Sequence, residues 1–201
     1  MLSNLFQNLF GKKQVIQESY IVVQLNDKIM PIDRGELYED PLDEFLKVKF
    51  YGEVSGGGTL QDVTGEIEYC DVEIKVNRKL SNAAIDDIIN KLEALGAPKG
   101  SKLIIEETGE QIPLGKLEGM AIYLDGINLS DEIYKNSDPG ALAEEINSLI
   151  KSRADIVRHW KGETETALYF YGPSFEEMKA SISDLLLADP LCENARVVQI
   201  A

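Results

Sequence analysis

Three consecutive glycines, Gly56, Gly57 and Gly58, free a stretch of backbone for positive φ or for close approach by another group. The chemistry such a stretch offers is a phosphate cradle. The surrounding run GEVSGGGTLQ lacks the Gly-Lys-Ser/Thr ending of a P-loop and the spacing of a dinucleotide-binding turn. The next segment alternates as a strand, so no helix N-terminus stands ready to hold an anion. The glycines are expected to be scaffold, marking a bulge or a point where another backbone comes close.

His159 is the only histidine, which excludes a histidine pair for a metal and a Cys-His relay completed within the chain. Read as the last turn of a helix, it has a structural role there, favoured by the helix dipole when protonated. Cys70 and Cys192 lie far apart and outside any Cys-x-x-Cys motif. Reduced thiols in a cytoplasm are the expectation, although two cysteines could bridge. No catalytic, cofactor-binding or metal-binding residue is assigned.

Carboxylates are the abundant reactive groups. One run holds Glu36, Glu39, Asp40, Asp43 and Glu44, and another holds Asp125, Asp131, Glu132 and Asp138. Neither has the alternating pattern of a calcium loop. A glycosidase pair could stand among them, but spacing alone does not reveal one. Each run reads first as a solvated acidic face. The earlier run is the better partner surface, because Leu37, Tyr38 and Phe45 interleave apolar anchors with the charges. The partner-binding candidates are Glu36, Leu37, Tyr38, Glu39, Asp40, Asp43 and Glu44.

The whole chain shares this bias. Its 201 residues carry 20 Lys and Arg against 35 Asp and Glu, a net charge of −15. Such a field repels nucleic acid and anionic lipid, which are bound chiefly through Lys and Arg, and it hastens the arrival of a basic protein. An apolar fraction of 44% supplies a core. No segment approaches the roughly 18–20 apolar residues that span a bilayer.

Helices and strands must position these groups. Residues 1–18 form an N-terminal arm in which Leu2, Leu5, Phe6 and Leu9 make one face of a short helix, closed by Gly11 and Lys12-Lys13. Such a helix could touch a membrane, but in an acidic chain it is expected to pack on its own domain or on a neighbouring subunit, which leaves a homodimer open. A strand over 20–25 precedes a helix over 41–50, opened by Asp40 as N-cap and Pro41 at the first position. Strands over 52–60 and 65–76 come next, with a phase change near Tyr69-Cys70 that asks for a bulge. Ser81 then caps a helix ended by Gly96, and a strand begins at Ser101.

The order β-α-β-β-α-β is that of a ferredoxin-like domain over 19–108. Thr108 to Gly115 reads as a loop. Beyond it, 109–201 reads β-α-β-α-β: a strand at 119–126, a loop containing Ser130 to Tyr134, one long helix from Asp138-Pro139 to Gly162, a strand at 164–171, a helix capped by Ser174 and a closing strand. The fold class is α+β, two ferredoxin-like α/β sandwich halves with antiparallel sheets and helices on one face.

The segments GEVSGGGTLQ, GEIEYCDVEI, LEALGAPKGSKL, GMAIYLDG and ALYFYGPSFEEM with the closing ARVVQIA resemble stretches of uncharacterised bacterial proteins, some associated with toxin–immunity loci. The resemblance spans most of the chain after Ser19 and implies a cytoplasmic immunity-type protein. Such a protein is non-catalytic and neutralises a cognate toxin by binding it. The charge independently suits capture of a basic enzyme such as a nuclease. A small-molecule regulatory domain and an enzyme of another kind are the alternatives.

Overall fold

In the computed structural model, residues 19–150 and 158–201 are described, and their strands form two antiparallel sheets. The expected N-terminal helix lies outside the described residues. The first sheet contains β1 (Ser19–Leu25), β2 (Gly52–Gln61), β3 (Ile67–Val76), β4 (Ser101–Ile105) and β5 (Glu110–Leu114), in the order β2-β3-β1-β4-β5. Each helical crossover carries the chain past one intervening strand. That strand is filled from the other side, so all neighbours run antiparallel.

Period-two alternation on β1 and β3 puts Ile21, Val23, Leu25, Cys70, Val72 and Ile74 on one face. Leu42 and Leu46 of α2 (Asp40–Lys49) and Ile88 and Leu92 of α3 (Asn82–Ala94) close over them. Ser81 caps α3 as its sequence demands, accepting from the Ala84 N–H.

The second sheet contains β6 (Glu118–Asp125), β7 (Arg158–Lys161), β8 (Glu165–Gly172) and β9 (Arg196–Gln199), in the order β7-β8-β6-β9. Between its strands lie α4 (Asp131–Asn136), α5 (Pro139–Ile150), α6 (Phe175–Ser181), α7 (Ser183–Ala188) and a 3-10 turn (Pro190–Cys192). Its strand order repeats that of β2, β3, β1 and β4. The chain is therefore two ferredoxin-like halves, each with a core between one sheet face and its helices.

Several local expectations are corrected. The second half is not one strand short: 158–161 is β7, paired with β8, so His159 and Trp160 sit on an edge strand and not in a helix. Residues 108–115 are not all loop, because Glu110–Leu114 pairs with β4 as the first sheet's edge. Pro113 is tolerated there because an edge strand has a side that needs no N–H donor. The segment around Ser130 is likewise not loop but carries α4, capped by the Ser130 hydroxyl.

Asp40-Pro41 does not start its helix. The chain is helical from α1 (Pro31–Arg34) through a π-helical stretch (Gly35–Glu39) into α2. Proline inside a helix loses its i−4 bond and clashes with the carbonyl it would have met. The wider turn just before Pro41, where the Asp40 N–H reaches back to the Gly35 carbonyl, absorbs that misfit. The β2–β3 pairing slips at two points, one between Val54 and Gly56 and one opposite Glu68, close to the expected phase change.

Candidate partner-binding surface

The seven candidates of the first acidic run do not share one exposed face. Tyr38 is fully buried, and its hydroxyl donates to Asp27 Oδ2 at 2.8 Å. Burial, reinforced by the Asp27 charge, pushes the Tyr38 phenol well above its ordinary range. It is a core residue and not a partner anchor. Leu37 and Phe45 pack against the same core.

Glu39 is engaged by Arg34 Nε at 2.6 Å. Asp43 accepts from Lys47 Nζ at 2.7 Å and from the Val54 N–H at 3.0 Å. The Lys47 hydrogen bond leads in holding the Asp43 carboxyl below its usual value. Glu36, Asp40 and Glu44 remain exposed, four residues apart along the helical stretch, and take part in no ion pair among the described residues.

The triple glycine is scaffold, for a reason specific to its middle member. A Cβ on Gly57 would lie 2.6 Å from the Asp71 carbonyl oxygen and 2.9 Å from both Arg34 Nη2 and Glu39 Oε1. Gly56 and Gly58 have open space instead. The buried Arg34 guanidinium crosses this strand, donating to the Gly58 carbonyl and to Thr59 Oγ1 at 2.9 Å. The close approach is thus by an arginine side chain and a neighbouring strand. No phosphate is needed to explain it.

A second cluster of polar side chains joins the halves. On the face of the second sheet turned away from its helices, Tyr171, Tyr169 and Tyr123 stand opposite Gly119, Ala121 and Ala167 in the β6–β8 register. Each ring meets a small residue across the ladder, which leaves the rings room to reach the first half. The Tyr171 hydroxyl accepts from the Lys28 N–H and donates to the Asn26 carbonyl. Tyr169 and Tyr123 both donate to Glu66 Oε1, at 2.8 and 2.9 Å.

Arg158 of β7 donates from Nε and Nη2 to the two oxygens of Asp27 at 2.7 and 3.0 Å, with its guanidinium 5.1 Å from the Tyr171 ring centre. Burial works to lower the Arg158 pKa, but the Asp27 charge, its hydrogen bonds and the neighbouring Tyr171 and Tyr38 together outweigh it, and the group is held protonated. Burial, then the hydrogen bond to Glu66, pushes Tyr123 up to about 12. Tyr169 also lines a small cleft of about 200 Å³ between the halves, together with Lys28, His159 and Trp160. The product of these contacts is a fixed relation between the halves.

Both cysteines are free and buried. Burial pushes the Cys70 thiol far up and Cys192 up to about 11, so neither supplies a thiolate nucleophile at neutral pH. Among the described residues no group of three His, Cys, Asp or Glu side chains is arranged to hold a metal, and no helix is long and apolar enough to cross a membrane.

The face of the first sheet turned away from its helices carries charges of both signs, Asp71, Glu73 and Lys75 on β3 and Lys102 on β4.

The second acidic run matters more than its sequence suggested. Glu132 and Asp138 line a groove of about 500 Å³ with Glu145 and Asp189, which spacing did not associate with them. Glu145 reads as an ordinary exposed helix position, and Asp189 lies 44 residues further along the chain. Only the packing of the 3-10 turn beside α4 joins the four.

No family model and no curated protein matches the chain. Among solved structures, it is similar to an unknown protein from Galdieria sulphuraria at 9% identity and a TM-score of 0.27, covering 91% of this chain and 98% of that one. It is also similar to the first two RRM domains of yeast poly(U) binding protein, at 10% identity and a TM-score of 0.24, covering 90% and 99%. Likeness at this level carries no argument about function, and the fold stands on its own strand order.

Proposed function

We propose that this protein is an acidic, non-catalytic binding module of immunity type, which neutralises a basic protein partner, a cognate bacterial toxin, by direct binding. The observation that carries the reading is a net charge of −15 on a scaffold whose exposed carboxylates at Glu36, Asp40, Glu44, Glu132 and Glu145 are not neutralised by ion pairs among the described residues. Like charges left unpaired cost stability through mutual repulsion, and a cationic partner relieves that cost while being steered in. The polar clamp between the halves adds to the case, because a preformed surface loses little entropy on binding.

The test is co-expression with the product of the adjacent reading frame. Restored growth and a one-to-one complex that dissociates in high salt are expected. If that product is harmless alone, or stays toxic and uncomplexed beside this protein, the reading fails.

One feature favours a small-molecule regulatory domain as a second reading. A cavity of about 540 Å³ opens between β1, β4 and β5 and the start of α3, with Ile21, Val76, Leu80, Ile85, Ile105 and Ile112 in its wall. A metabolite that raises the melting temperature, and loses that effect in Ile85→Arg, would support it. An unmoved melting temperature across an apolar metabolite panel would end it.

A further inference from the structure

The groove beside α4 and α5 has two parts with different chemistry. Its floor is apolar, made by Ile133, Ala141, Leu142 and Pro190. Its rim is anionic: Glu132, Asp138, Glu145 and Asp189 line it, and among the described residues no Lys, Arg or His does. None of the four carboxylates takes part in an ion pair among the described residues. Asp138 and Asp189 each spend one oxygen, Oδ1, on the N–H of Gly140 and of Leu191, both at 2.8 Å.

Each part narrows the occupant. A phosphate backbone or an anionic lipid surface is repelled by the rim. A small hydrated cation gains nothing from an apolar floor, and the rim offers it no set of converging ligands. A segment with one apolar face and flanking Lys or Arg satisfies both parts, covering the floor while its cations reach the rim.

We infer that the α4–α5 groove is the docking site for a Lys/Arg-bearing amphipathic helix of the protein partner. The inference rests on the reading of the protein as an acidic capture module, and it places the contact in the second half, away from Glu36, Asp40 and Glu44. The rim charges govern arrival and salt sensitivity, while the floor governs residence.

The probe is a labelled synthetic amphipathic peptide of Leu and Lys, monitored by fluorescence anisotropy and by amide shifts of the isotope-labelled full chain. Two charge-matched double variants are compared, Glu132→Gln/Glu145→Gln and Glu36→Gln/Glu44→Gln, together with Ala141→Arg in the floor. All five positions are exposed, so the variants fold, and unchanged melting curves verify it. Expected is binding abolished in about 1 M salt, where the Debye length is about 3 Å. The groove pair and Ala141→Arg should each weaken binding about tenfold, and the Glu36/Glu44 pair less than about threefold, with shifts centred on residues 131–145 and 189–191.

Equal losses from the two pairs mean that only the overall field attracts the peptide and overturn the groove assignment. A larger loss from the Glu36/Glu44 pair moves the site and leaves the capture reading intact. Self-association of the free protein that Ala141→Arg abolishes assigns the groove to a second copy and overturns the inference. Absence of peptide binding also overturns it, whereas the capture reading is decided separately by co-expression.

Discussion

Arg158 and Asp27 lie 131 residues apart in sequence and form a two-pronged, buried ion pair that ties the edge of the second sheet to the end of β1. The pair is completed by Tyr38, which donates to the same carboxylate, and by Tyr171, whose ring lies under the guanidinium. A buried charge is tolerable only while its partner is present. Arg158→Ala should therefore destabilise the chain by about 3–5 kcal/mol, and Asp27→Ala by a similar amount. The double variant Asp27→Leu/Arg158→Met should recover much of that loss, because no lone charge stays behind. Denaturant unfolding of the three variants measures this, and strictly additive losses would contradict the pairing.

Gly57 is constrained where its neighbours are not. Its absent Cβ is what lets Arg34 and Glu39 cross β2, whereas Gly56 and Gly58 face open space. Gly57→Ala should cost more than about 1 kcal/mol by displacing the guanidinium or bending the strand. Gly56→Ala and Gly58→Ala should be neutral or stabilising by up to about 1 kcal/mol, since glycine is a poor strand former. Thermal unfolding of the three single variants separates these outcomes, and three equal effects would show that the crossing is not the constraint.

These two relationships differ in how far the sequence discloses them. Strand parity on β1 and β3, the serine caps of α3 and α6 and the apolar stripe of α5 are local signals, and they yield both ferredoxin-like halves. β7 is hidden because its buried residue is an arginine, whose burial makes sense only beside Asp27. Helical spacing carried on to Trp160 then reads as more of α5. Tyr38 looks like a surface anchor among acids because its partner is eleven residues away, in the loop after β1. Asp40-Pro41 mimics a helix start, and only the π-helical stretch before it reveals an interior position. Of the groove, Glu132 and Asp138 were legible as charges. Their assembly with Asp189 needed the packing of the 3-10 turn.

Phe50 ends α2 in the left-handed region, at φ 56° and ψ 35°, where glycine is the usual occupant. Its side chain is 77% exposed, so little packing offsets the backbone cost. Phe50→Gly should raise stability by about 0.5–1 kcal/mol, the relief of strain exceeding the entropy that glycine adds to the unfolded chain. Loss of stability on that change would mean that the ring makes contacts which its exposure conceals.

Asp125 gives the chain a pH signature. Its carboxylate accepts from the N–H groups of Ile127 and Asn128 and from the side-chain amides of Asn128 and Asn194. The backbone bond from Ile127 leads in lowering its pKa from 3.8 to about 2. A carboxyl depressed in the folded state stabilises it above the unfolded value, and that contribution is lost as pH falls through the folded value. The turn after β6 should thus hold from neutrality to about pH 4 and weaken progressively between about pH 4 and pH 2. Carbon-13 titration of the Asp125 carboxyl reports the value directly. Asp125→Asn should lower stability near neutrality and flatten the acid limb over the same interval. An Asp125 carboxyl titrating at its ordinary value, with an acid limb unchanged in the variant, would separate this turn from the acid response of the chain.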